Sequence, residues 1–212
     1  MAIDNEDKFF VFDDVLSMKE HEALFTSIEN LKWTNRWSSA KTRLEDAWHF
    51  NYTFFQSEQH MPAITPEQLS DLGSQHPKMI PLWTKATQLF KDHLGKYDIL
   101  RLYANCNPYG INSYVHYDDG EYTAVYYPCT EWNPEWEGGT CFYEKDENDK
   151  LDAIRYVTYK PNRMIIFPAK IPHRGMPVDR RCSKARYVIA MKLQRDVNDP
   201  DYAQEFYNEK RS

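Results

Sequence analysis

Apolar positions recur at two different spacings along this chain, and the change falls near residue 96. In residues 17–31, Met18, Ala23, Leu24 and Ile28 share a helical stripe, and Glu20 stands three residues after Ser17 as in a capping box. Residues 79–94 repeat the helical period through Ile80, Leu82, Ala86, Leu89 and Phe90, and Gly95 supplies the stop. The run 9–12, ending at Asp13-Asp14, predicts a first strand. Residues 33–37 and 47–55 predict two more around a polar loop. Residues 56–78 hold Pro62, Pro66 and Pro77 and predict an irregular excursion with one short helix. Past residue 96 the runs become short and strand-like, at 97–106, 112–118, 121–128, 139–144, 153–159, 163–167 and 185–193. Turn residues separate them, which predicts an all-β sandwich or barrel. A polar tail follows, with a short surface helix expected over 201–210. The whole reads as one domain over 1–212: a helical support to about residue 96 and a β-barrel core over about 97–195.

Composition sharpens this reading. Tyr, Trp and Phe number 15, 6 and 11, which suits sheet faces and ligand clefts. Asp plus Glu exceed Lys plus Arg by 32 to 26, a formal charge of −6, which counts against a phosphate backbone as partner. The densest basic patch is Arg174, Arg180, Arg181, Lys184 and Arg186. No run reaches the roughly 18 apolar residues of a membrane span. The four cysteines form no C-x-x-C pair, and residues 1–8 lack the pattern of a secretory signal; both point to a cytoplasmic protein with reduced thiols.

Three fragments carry chemistry. His116 and Asp118 stand two apart in an expected strand, so both face one side while Asp119 faces the other. A third imidazole would complete a 2-His-1-carboxylate facial triad, which leaves metal positions open for a bidentate ligand and oxygen. Such an imidazole stands at His173, where the apolar run 163–167 delivers the chain to Ile171-Pro172-His173-Arg174-Gly175. Arg186 opens the apolar strand Tyr187-Val188-Ile189-Ala190-Met191, and a buried guanidinium there calls for an anionic partner such as a dicarboxylate. Lys184 has the same strand parity and is a rival anchor.

In this order the fragments resemble the prolyl-4-hydroxylase-like branch of the 2-oxoglutarate/Fe(II) oxygenases. The resemblance runs through Leu102-Tyr103, His116-Tyr117-Asp118, Ala124-Val125-Tyr126-Tyr127, Gly138-Gly139-Thr140-Cys141-Phe142, Lys160-Pro161, Pro172-His173 and Arg186-Tyr187. It implies a double-stranded β-helix, a jelly-roll barrel with iron at one end, bound by His116, Asp118 and His173. It implies Arg186 on the distal carboxylate of 2-oxoglutarate, with Tyr127 and Tyr103 adding hydroxyl contacts. It further implies an O2-dependent hydroxylase acting on a prolyl residue of a protein or peptide, with ascorbate as reductant. A related halogenating group lacks the carboxylate that stands here at Asp118, so hydroxylation is expected. The alternatives are a free amino acid or other small molecule as substrate, or a non-enzymatic cupin-like metal- or ligand-binding protein. Substrate contacts are expected from a rim of Trp37, Arg43 and Trp48 on one loop and Trp132 and Trp136 on another.

Overall fold

The structure, a computed structural model, describes residues 8–37, 48–57 and 64–195. Arg43 and the expected tail helix lie outside the described residues. The chain opens with β1 (Phe10–Phe12) and α1 (Met18–Glu29). The Ser17 hydroxyl accepts from the Glu20 amide and the Glu20 carboxylate accepts from the Ser17 amide, so the expected capping box starts α1. β2 (Thr34–Trp37) and β3 (His49–Gln56) follow. The short helix expected within the excursion is present. Thr65 and Gln68 form a second capping box, and Pro66 starts α2 (Pro66–Gln75) where a missing amide hydrogen does no harm. A single 3-10 turn (Pro77–Met79) leads into α3 (Ile80–His93), and Gly95, at φ +101°, ends it.

The rest is strand: β4 (Tyr97–Asn107), β5 (Tyr122–Tyr127), β6 (Thr140–Lys145), β7 (Leu151–Val157), β8 (Arg163–Pro168), β9 (His173–Gly175) and β10 (Arg186–Arg195). They form a seven-stranded sheet in the order β1-β8-β5-β10-β4-β3-β2 and a three-stranded sheet in the order β7-β6-β9, with antiparallel pairing throughout. Together they make the expected double-stranded β-helix.

The large sheet is buried on both faces. Toward the helices, Leu102, Ala104, Ala124, Tyr126, Ile189 and Met191 pack on Leu24, Ile28, Leu82 and Phe90. Toward the small sheet, Val125, Tyr127, Ile165, Phe167, Val188 and Ala190 pack with Phe142 and Val157. Strand alternation therefore assigns each residue of β10 to one of two cores.

One expected strand is absent. Residues 112–118 run without a ladder, joined to β9 only by the single bridge between His116 and His173, whose amides each donate to the other's carbonyl at 3.0 Å. β9 is three residues long, between Pro172 and Met176-Pro177, and prolines cannot donate to a longer ladder. The parity argument survives the loss of the strand: Asp118 is turned inward, while Asp119 is exposed and pairs with Arg101 at 2.8 Å.

Candidate metal and co-substrate site

His116, Asp118 and His173 come together, with one ligand atom from each lying within 4.8 Å of the others. The backbone bridge sets the two histidines side by side, with ring centroids 4.6 Å apart. Each ring folds back on its own chain: His116 Nδ1 lies 2.9 Å from the Tyr114 carbonyl and His173 Nδ1 lies 2.8 Å from the Ile171 carbonyl. A carbonyl only accepts, so both Nδ1 atoms carry hydrogen and both Nε2 atoms present a lone pair. Those lone pairs face Asp118, at 3.6 Å from Oδ1 for His116 and 3.2 Å from Oδ2 for His173. Lone pairs aimed at a carboxylate repel unless a cation stands between them. Donors about 2.1 Å from one metal, at right angles, stand about 3 Å apart, so the spacing suits a divalent ion.

The surroundings keep the donors ready. Burial, then the neighbouring His173, hold His116 below the usual histidine range. Burial pushes the Asp118 carboxyl up, but the opposing influences, the Lys192 ammonium first among them, hold it well below the usual carboxylate range. The Thr123 hydroxyl donates to Asp118 Oδ2 at 2.7 Å. Phe167 and Phe142 flank the His173 ring at 4.7 and 6.0 Å.

The three residues open into one cavity between the sheets, with Arg186 also on its wall. Arg186 is 5% exposed, its Nε donates to the Gly138 carbonyl, and its Nη2 lies 3.4 Å from the Gly139 carbonyl. Gly175 makes room for it, since a Cβ there would stand 2.9 Å from Arg186 Nη1. Lys184, the rival, lies outside this cavity and pairs with Glu131 at 3.0 Å. Tyr103 lines the cavity. Tyr127 does not: its hydroxyl meets the Thr140 hydroxyl at 2.8 Å, and Thr140 is the residue on the wall.

Sequence reasoning passed over several wall residues. His49, Asn105, Asn107 and Lys192 all line the cavity. His49 is pulled down to about 4 by burial, with Arg186 and His116 adding to the fall. The parity that placed Arg186 extends along Val188, Ala190 and Lys192, so Lys192 could have been found the same way. At the rim, Trp132 is committed to packing: it stacks on Tyr159 at 4.1 Å and donates to the Glu137 carbonyl. Trp48 packs edge-on against Phe50 at 5.5 Å. The basic patch is broken up, since Arg186 is buried and Arg181 pairs with Asp179 and Glu135. All four cysteines are free and buried. Among the described residues no helix is long and apolar enough to cross a membrane.

Comparison with known proteins agrees with this fold. The profile of the 2OG-Fe(II) oxygenase superfamily matches residues 104–192. A prolyl-4-hydroxylase from Pseudomonas putida shares the fold at a TM-score of 0.59 and 14% identity, over 90% of this chain and 94% of that one. A prolyl hydroxylase from Trichoplax adhaerens, solved with a hypoxia inducible factor peptide fragment, gives 0.55 and 18%, over 90% and 85%. The non-haem alpha ketoglutarate dependent epimerase SnoN of nogalamycin biosynthesis gives 0.61 and 12%, over 89% and 78%. No curated protein matches the sequence. Residues 104–192 thus match the 2OG-Fe(II) oxygenase superfamily, and the solved structures share the fold.

Proposed function

We propose that the protein is a 2-oxoglutarate- and O2-dependent Fe(II) hydroxylase whose substrate is a prolyl residue of a protein or peptide. The observation that carries this reading is one cavity holding two different devices. One is a His-Asp-His cluster with both Nε2 lone pairs turned inward. The other is a buried arginine fixed by two backbone carbonyls. A metal-binding protein without turnover has no need of the second.

In this reading His116, Asp118 and His173 hold iron, and Arg186 pairs with the distal carboxylate of 2-oxoglutarate. Tyr103 contacts the co-substrate directly, and Tyr127 acts through the Thr140 hydroxyl. The bound iron and 2-oxoglutarate supply oxygenation of a C–H bond, coupled to decarboxylation to succinate. The protein's own part is placement. Thr123 and Lys192 fix the Asp118 carboxylate, the Tyr114 and Ile171 carbonyls fix the two ring tautomers, and Phe142 and Phe167 keep water from His173. Ascorbate would serve to keep the iron reduced. The prolyl assignment is supported by the likeness to prolyl hydroxylases, while the epimerase neighbour shows the same fold serving another reaction.

The test is an anaerobic titration of the protein with Fe(II) and 2-oxoglutarate, following the visible metal-to-ketoacid charge-transfer band. The band is expected in wild type, absent in His173→Ala, and dependent on far more 2-oxoglutarate in Arg186→Ala. Proline-containing peptides and free L-proline are then compared for succinate release and a gain of one oxygen by mass. Metal binding without a band at any 2-oxoglutarate concentration would overturn the reading in favour of a cupin-like binding protein.

A further inference from the structure

Lys192 is 2% exposed, in a cavity that already holds one buried cation. A buried ammonium needs close partners. Its Nζ contacts Asp118 Oδ2, lies 3.3 Å from the Thr123 hydroxyl and sits 5.7 Å from the centre of the Tyr103 ring. Lys192 stands six residues after Arg186 with the same parity, so the two cations end one inward-facing row of β10, about 20 Å apart at their Cα atoms. One cation answers to the far end of the cavity. The other touches the proposed metal ligand.

We propose that Lys192 is a second carboxylate-binding residue of this site, for the carboxylate that joins the metal. The inference rests on the proposed function and adds a residue to it. Any carboxylate that binds the metal beside Asp118 comes within reach of an ammonium already in contact with Asp118. Charge points the same way. With a dication on the ligands, Asp118 is outnumbered by the metal, Arg186 and Lys192, leaving a net excess of three positive charges that a dianionic 2-oxo acid reduces to one. Arg186 and Lys192 therefore read opposite ends of one ligand.

The two ends can be separated with two probes, 2-oxoglutarate and 2-oxobutyrate, which lacks the distal carboxylate. Each is titrated anaerobically into the Fe(II)-loaded protein, reading the dissociation constant from the charge-transfer band. Arg186→Met is expected to weaken 2-oxoglutarate alone, bringing it near 2-oxobutyrate. Lys192→Met is expected to weaken both acids by a similar factor, roughly ten- to a hundred-fold for a lost hydrogen bond to a charged group. Lys192→Arg keeps the charge, should recover much of the affinity, and guards against a fold too damaged to read. Thermal melts and Mn(II) binding are measured on every variant. If 2-oxobutyrate binds the two Lys192 variants as it binds wild type, Lys192 only balances the charge of Asp118 and the inference is overturned. If wild type gives no band with either acid, it is the proposed function that fails.

Discussion

Gly175 offers a way to disturb the proposed co-substrate contact without touching a charged residue. Its backbone torsions suit any residue, so alanine brings no strain from the chain itself. An added Cβ would instead stand 2.9 Å from Arg186 Nη1 and 3.0 Å from Cζ and Nη2, closer than such contacts tolerate. The guanidinium must give way, but the Gly138 and Gly139 carbonyls hold it from the other side. It therefore tilts rather than leaves, and loses alignment with a planar carboxylate. Misaligning one charge-assisted hydrogen bond of a pair is worth about 1.5–3 kcal/mol, roughly a ten- to hundred-fold rise in the 2-oxoglutarate dissociation constant. The three atoms nearest this Cβ all belong to Arg186 and none to the proposed metal ligands, so Mn(II) affinity should stay within about two-fold of wild type. The assay is the anaerobic titration, run beside a Mn(II) titration and a thermal melt. Unchanged 2-oxoglutarate affinity in Gly175→Ala, with a normal melt, would refute the role given to the cradled arginine.

Other expectations are independent of that contact. His173→Ala should abolish tight Fe(II) or Mn(II) binding, measured by calorimetry, while the fold persists by circular dichroism. Asn162→Ala should destabilise the protein by about 3 kcal/mol in urea melts, because its amide bonds the Leu16 amide and carbonyl and takes the Tyr126 hydroxyl, all buried. The Asp13 carboxyl, hydrogen-bonded by Arg163 and Lys160, is held at about 2 against an ordinary 3.8. A lowered pKa contributes stability above the unfolded value and loses it as pH falls through the folded one. Asp13→Asn should thus cost about 1 kcal/mol at pH 7, since this clasp is partly solvated, with the gap to wild type closing as pH drops below about 4. Gly139→Ala should prevent stable folding, because its Cβ would meet the Val157 carbonyl oxygen at 2.3 Å, and backbone cannot step aside.

Much of this site was legible in the sequence because its chemistry needs particular side chains at particular parity. His116 with Asp118, His173 on a turn after an apolar strand, and an arginine at the head of another are each uncommon demands on a core. The partners of those residues were harder to see. The carbonyls that set both ring tautomers belong to Tyr114 and Ile171, whose side chains say nothing about the role. The residues that cradle Arg186 are glycines, Gly138 and Gly139 at 48 and 47 positions upstream and Gly175 much nearer, brought together by the pairing of β6 with β9. Residues 112–118 have the composition of a strand but lack a neighbour long enough to pair with, and local pattern cannot report that. Thr65 and Gln68 carried a readable cap that would have given the expected short helix its start.

Because β10 is buried on both faces, its alternation ties folding to chemistry. A single residue inserted between Arg186 and Lys192 would turn one end of the strand over. One cation would then point into the helix layer, among Leu24, Ile28 and Phe90, and an apolar neighbour would face the cavity. The neighbouring β4 does absorb one extra residue, at the register shift beside Lys192 and Leu193, beyond the last cavity-facing position of β10. Length changes in this strand are therefore expected to be tolerated only past Lys192, and a library of single-residue insertions along β10 should lose soluble protein and metal-dependent ketoacid binding at the same positions.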